Sequence, residues 1–262
     1  MTPEPQKVVV ADLLGGGLGN QMFQWAFGLA VARKLGLPFE WTRKEAKLRA
    51  FDLAIFGLDL QPHFYPPTVY QNMAAGDASD LDKACAAVLA SKEQYCGIRG
   101  HFQSEHCFAN VANEVRKTFK LNPIRIAPER TVQIAVQVRR GDYVGDKLYD
   151  VCTPEYFERG AKYFAEKFLN PHFVFVSDDL DWCNQTFGHW ENATVPETQT
   201  AKESLQIMAG SAAHVISNST FAFWGAWLQG GPTVVPSRWL NSTWRGHSFE
   251  GVPCGSWIKV SP

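Results

Sequence analysis

Residues 136–143 read Val-Gln-Val-Arg-Arg-Gly-Asp-Tyr, an apolar run that stops at two arginines, a glycine and an aspartate. Two cations at the end of a strand ask for an anion. A guanidinium fork donates two parallel hydrogen bonds to a phosphate and keeps its charge at any working pH. Arg139 and Arg140 are therefore candidates to hold a departing diphosphate. A surface ion pair, with Asp142 as the partner, is the competing reading. Some eighty residues on, His214-Val215-Ile216 ends in Ser217-Asn218-Ser219-Thr220 and runs into an apolar stretch from Phe221. Short hydroxyl and amide side chains at a strand-to-helix turn cap the helix and leave its first N–H groups outward, which favours an anion. An ordinary N-cap is the plainer alternative. Arg140-Gly141-Asp142 as an adhesion tripeptide is set aside, because such a motif projects from a loop and here it ends a strand.

These residues need elements to position them. Thr131–Val138 is β-branched and bounded by polar residues, so the arginines should emerge at a strand's carboxyl edge, where open α/β sheets bind ligands. After it, Thr153-Pro154-Glu155 predicts a helix start with a hydroxyl cap and a proline at the first turn, and Phe157, Ala161, Phe164 and Phe168 share one face. A strand at 172–176, helices near 180–187 and 202–210, strand 214–216, helix 221–229 and strand 233–235 follow. Such β-α alternation means a parallel sheet.

The N-terminal half opens the same way. Strand 7–11 leads into Gly15-Gly16-Gly17-Leu18-Gly19-Asn20, then into a periodic helix with Met22, Phe23, Ala26, Phe27, Ala30, Val31 and Leu35 on one apolar face, stopped by Gly36. A further strand is read at 38–41, and residues 61–79 read as irregular connection. As a dinucleotide fingerprint the glycine run is weak, since Asn20 replaces the third glycine and only Glu40 stands near the place of a ribose-binding acid. Prolines at 123 and 128 divide the chain into domains 1–126 and 127–262.

Other constellations are weaker. Asp179-Leu180-Asp181 spells a metal-binding Asp-x-Asp, but between a strand and a helix these aspartates are better read as caps. His101 and His106 have no third ligand nearby and read as packed or solvated. The six cysteines form no Cys-x-x-Cys pair, which points to neither a zinc cage nor a disulfide framework. A formal charge of −1 argues against nucleic-acid binding and a polybasic membrane surface. No signal peptide is read at the N-terminus. A cytoplasmic protein is expected, with peripheral membrane contact left open.

Five motifs in order carry a resemblance: Gly16-Gly17-Leu18-Gly19-Asn20-Gln21-Met22-Phe23-Gln24, Phe102-Gln103-Ser104-Glu105, Val138-Arg139-Arg140-Gly141-Asp142-Tyr143, Ser177-Asp178-Asp179, and Ser217–Phe221 through Trp224-Gly225-Ala226-Trp227-Leu228. The chain resembles glycosyltransferase family eleven, the α-1,2-fucosyltransferases, over nearly its whole length. The resemblance implies an α/β fold of two Rossmann-like domains facing a cleft, the glycosyltransferase B architecture. The first domain would take a galactose-containing glycan and the second GDP-fucose. It implies inverting transfer to a galactose 2-hydroxyl with no metal and no cofactor beyond the donor. Donor binding would fall to Arg139, Arg140, Asp178, Ser217, Asn218, Ser219, Thr220 and Phe221, and catalysis to Arg139, Asp142 and Asn20. Asp142 is the nearest candidate base, with bracing of Arg139, a role for Asp146, or no protein base as alternatives. The chain departs from the family at Gln137, where histidine is usual, and at His106-Cys107, where Lys-Tyr is. A silent sugar-nucleotide-binding protein and a nicotinamide-dependent oxidoreductase are the competing functions.

Overall fold

The computed structural model describes residues 6–14, 16–43, 50–60, 66–73, 76–241 and 255–262. Gly15 of the glycine run, Cys254, and residues 61–65, 74 and 75 of the expected irregular connection lie outside these. The chain divides into two compact units, Met1–Phe119 and Lys120–Pro262. Both are α/β with parallel sheets. The division falls before the prolines because Gln133 ties the segment after them to the second unit. Its side-chain oxygen accepts from the backbone N–H of Ile126 and Ala127, and its amide donates to the Ile124 carbonyl.

In the N-terminal unit β1 (Val8–Asp12), β2 (Phe39–Thr42), β3 (Thr68–Asn72) and β4 (Tyr95–Gly100) form a parallel sheet in the order β2-β1-β4-β3. Strand β3 corrects the expectation of irregular chain across 61–79. Its neighbour β4 holds two glycines because the adjoining chain comes too close for side chains. A Cβ at Gly97 would lie 2.8 Å from the Pro67 carbonyl oxygen, and one at Gly100 would collide with that of Asn72. Helix α1 (Leu18–Leu35) ends on left-handed Gly36 as its sequence predicts. However, it is buried nearly all round rather than on one face, Gln21, Gln24 and Gly28 included. It packs on β1, on α2 (Ala78–Ala90) and on the 3-10 turn Glu105–Val111, with α3 (Ala112–Thr118) following.

The C-terminal unit holds the parallel sheet β10-β9-β8-β5-β6-β7, formed by β5 (Val132–Val138), β6 (Pro171–Ser177), β7 (Ala193–Thr194), β8 (Ala213–Ile216), β9 (Thr233–Pro236) and β10 (Ile258–Val260). Helices α4 (Pro154–Ala165), α5 (Leu180–Phe187), α6 (Ala201–Ala209) and α7 (Thr220–Gln229) alternate with the strands. Ile134, Val136 and Val138 point from β5 into a core with Tyr156, Phe157, Phe164, Phe175 and Phe187. Gln133 and Gln137, with the opposite parity, are buried on the other face. Thr153 stands at the N-cap of α4 but its side chain makes no capping hydrogen bond, so Pro154 carries that helix start. Among the described residues no helix is long and apolar enough to cross a membrane.

Candidate active site

The carboxyl ends of β5 and β6 bring five charged residues together. Strand alternation sends the two arginines apart. Arg139 Nη1 lies 2.8 Å from Asp178 Oδ2, its Nη2 pairs with Asp142 Oδ1, and its guanidinium sits 5.4 Å from the Tyr143 ring centroid. Arg140 turns to the other side, with Nε 2.9 Å from Asp179 Oδ2 and its guanidinium 3.9 Å over the Trp182 ring. Asp178 joins the two, because its Oδ1 accepts from the Arg140 backbone N–H at 2.9 Å. Gly141 closes this knot: a side chain there would run into the Asp178 carboxylate. Both arginines are thus paired with aspartates, the competing reading of the sequence, at the strand ends where the anion-binding reading expects them.

Asp179 caps α5, accepting from the Trp182 N–H at 3.1 Å as well as from Arg140. The Arg140 guanidinium holds its carboxyl below the usual carboxylate range, more than burial raises it. Asp146 is spent on its own turn, accepting from the N–H groups of Leu148 and Tyr149. Tyr143 is pushed well above the ordinary phenol range by burial, so it stays a neutral O–H. That hydroxyl lies 3.4 Å from the Asn218 carbonyl oxygen.

At the end of β8 the polar turn divides its work. The Ser217 hydroxyl, fully buried, donates to Gln137 Oε1 at 2.6 Å. Asn218 donates to the carbonyls of Tyr149 and Trp239, at 3.0 and 2.9 Å, and so clasps two loops. The side chains of Ser217 and Asn218 therefore face the fold, which narrows the expected diphosphate contact to Ser219, Thr220 and the backbone. Ser219 is the N-cap of α7 but its side chain makes no capping bond. The first N–H groups of α7 are then uncapped by any side chain, the arrangement that attracts an anion. Thr220 and Phe221 are half-buried at this first turn. The Gln137 amide nitrogen meets no hydrogen-bond partner among the described residues.

Asn20 belongs to the other unit. It starts α1 beyond the glycine run, and its Oδ1 accepts from Gln103 Nε2 at 2.9 Å. A Cβ at Gly16 would lie 2.6 Å from Asn20 Nδ2, so the run is glycine-rich where the chain folds against this amide. At the same sheet edge Arg99 Nε lies 3.2 Å from Asp12 Oδ2. The sequence alone shows neither Gln103 as a partner of Asn20 nor the Asp12–Arg99 pair. Asp12 at a strand end was the only visible signal of the second.

The family described as glycosyl transferase family 11 matches residues 77–253, which hold the whole arginine cluster and the α7 turn. The chain belongs to glycosyl transferase family 11. This family member is 27% identical to an α-1,2-colitosyltransferase of Escherichia coli, over 96% of this chain and 99% of the relative. It is 28% identical to galactoside 2-alpha-L-fucosyltransferase Sec1 of Mus musculus, over 98% of this chain and 75% of the relative. In fold the family 11 chain is similar to the fucosyltransferase NodZ from Bradyrhizobium, with a TM-score of 0.50 at 11% identity, over 84% of this chain and 93% of that one.

Proposed function

We propose that this family 11 glycosyltransferase moves L-fucose from GDP-fucose to the 2-hydroxyl of a galactoside, with inversion and without a metal. The observation that carries the reading is the knot of Arg139, Arg140, Asp178 and Asp179 at the carboxyl edge of β5 and β6, in a member of this family. The reading gives the donor to residues 127–262 and the acceptor to residues 1–126.

As the fucose–diphosphate bond breaks, charge grows on the β-phosphate and the sugar becomes oxocarbenium-like. Arg139 neutralises that growth, helped by the uncapped start of α7 with Ser219 and Thr220. Asp142 is already paired with Arg139, which supports bracing over proton abstraction, and the proton of the galactose 2-hydroxyl then passes to solvent as its oxygen bonds to the fucose anomeric carbon. The side chain of Asp179 is taken up by its cap and by Arg140, which supports capping over metal ligation. Asn20 orients fucose or the acceptor. The likeness to a colitosyltransferase makes the corresponding GDP-colitose the second donor to try.

The test is glycosyl transfer, of fucose from GDP-fucose and separately of colitose from GDP-colitose, to lactose and to its 2-deoxy-galactosyl analogue. Turnover with lactose but not with the analogue is expected, with an α-1,2 linkage by NMR. Parallel melting curves with GDP should rise equally in EDTA and in magnesium or manganese, by about 2.7 kcal/mol of stabilisation at a hundredfold excess over Kd. Transfer to the deoxy analogue would overturn the acceptor position, and loss of GDP stabilisation in EDTA would return Asp179 and Asp181 to metal ligation.

A further inference from the structure

Gln103 reaches Asn20 from a turn that is costly to build. Phe102 adopts φ 49°, a left-handed conformation that bulky residues rarely take and that costs roughly 1–3 kcal/mol. The turn is held from several sides. The Phe102 ring is buried and stacks on Phe27 with centroids 3.8 Å apart and planes at 20°. Its carbonyl accepts from the Ser104 N–H at 2.8 Å, and the Ser104 hydroxyl in turn accepts from the His106 N–H at 3.4 Å. Such over-determined strain collects where a side chain has to be aimed. The residue aimed here is Gln103, whose bond to Asn20 spans 83 positions of sequence.

With Gln103 Nε2 facing it, the accepting end of Asn20 is occupied. An amide has a donating end and an accepting end. With Oδ1 taken by Gln103, Asn20 Nδ2 meets no hydrogen-bond partner among the described residues. We propose that Gln103 is a positioning residue that fixes the polarity of Asn20, keeping Oδ1 turned inward and presenting Nδ2 as a donor to an oxygen of the bound sugar or diphosphate. This inference rests on the reading that Asn20 addresses a ligand of fucose transfer.

Gln103→Glu tests it with little change of shape. A carboxylate cannot donate to Oδ1, so Asn20 must turn its Nδ2 inward and present an oxygen instead. Initial rates with GDP-fucose and lactose varied in turn should show Gln103→Glu losing roughly tenfold in kcat/KM, the order expected for one hydrogen bond, and about as much as Asn20→Ala. The double variant Asn20→Ala/Gln103→Ala should be no worse than Asn20→Ala, because Gln103 acts only through Asn20. A loss confined to the KM of GDP-fucose assigns the oxygen to the donor, and one confined to lactose assigns it to the acceptor. Wild-type kcat/KM in folded Gln103→Glu, beside an impaired Asn20→Ala, overturns the positioning role alone, as do losses that multiply in the double variant. An unimpaired Asn20→Ala overturns the role of Asn20 and this inference with it, whereas a wild-type chain that transfers no fucose overturns the proposed function itself.

Discussion

The two sheets end in different chemistry at corresponding edges. At the carboxyl edge of the C-terminal sheet the side chains are charged, paired and locked by a glycine, with Arg139 and Arg140 each held by an aspartate. At the carboxyl edge of the N-terminal sheet the conspicuous contact is neutral, one amide on another, and it is held in place by aromatic packing behind a left-handed Phe102. The difference is one of density: the C-terminal edge gathers two arginines and three aspartates in one knot, whereas the N-terminal edge sets a single Arg99–Asp12 ion pair beside an amide–amide contact. It also implies that the two edges should break in different ways.

The N-terminal edge should break through stability. Phe102→Ala removes a buried ring and should cost about 3–5 kcal/mol, lowering the melting temperature by roughly 10 °C. GDP should still raise the melting temperature of the variant. Melting within about 2 °C of wild type would show that packing does not hold this edge.

The C-terminal edge should break through turnover. Arg139→Ala should lose about 10²–10³ in kcat, as for removal of one preorganised donor to a developing charge. Arg139→Lys should recover little, because the fork is gone. The ion pairs are partly exposed, with Arg139 at 25% and Asp142 at 55% side-chain exposure, so melting should hardly move. Initial rates decide the matter: a folded Arg139→Ala keeping more than about a tenth of wild-type turnover is incompatible with the leaving-group role.

Acid should separate the two units as well. His214 on β8 is fully buried, its Nε2 2.8 Å from the Met208 carbonyl, and burial pushes its pKa from 6.5 down to about 4. The unfolded chain therefore takes up this proton first. The stability that the neutral imidazole contributes is complete above pH 6.5 and is lost as pH falls toward 4, by on the order of 3 kcal/mol. Hydrogen exchange at pH 7 and pH 4.5 should show the C-terminal sheet losing protection, and His214→Gln should flatten the pH dependence. An unchanged slope in that variant would move the acid sensitivity elsewhere.

The smallest effect is expected at Gln137. Its side chain is buried and its oxygen already accepts from Ser217, so Gln137→His should change turnover by less than about tenfold, short of what a new general acid or base supplies. A gain of several orders of magnitude in the same rate assay would show instead that the glutamine disables the site.

Much of the charged edge could be read in the sequence because its parts are local. Arg139 and Arg140 close a β-branched run, Asp178 and Asp179 close another, and parallel pairing of β5 with β6 brings the two ends together. The cap at Asp179 follows from its place between strand and helix. What the turn after β8 does was harder to see. Ser217 and Asn218 have the residue types of an anion site, and only burial reveals that their side chains are turned to Gln137, Tyr149 and Trp239. At the N-terminal edge the motifs around Asn20 and Gln103 were visible and their meeting was not. Strand β4 carries glycines at 97 and 100 that erase its alternation, and their reason is the nearness of Pro67 and Asn72. A bond between Asn20 and Gln103 has no local signature at all.

The charge of Arg139 is already balanced by Asp142 and Asp178. A phosphate that took over the two Nη contacts of this fork would displace a carboxylate, so its gain would be a difference between two anions and not the whole attraction of one. Asp142 is the more exposed of the two partners, at 55% against 29%, and exposed pairs of this kind bind by only about 0–1 kcal/mol. The exchange is accordingly cheap. Between turnovers the resting edge offers passing anions a nearly neutral face, and its selectivity falls to ligands that can outbid an aspartate at short range.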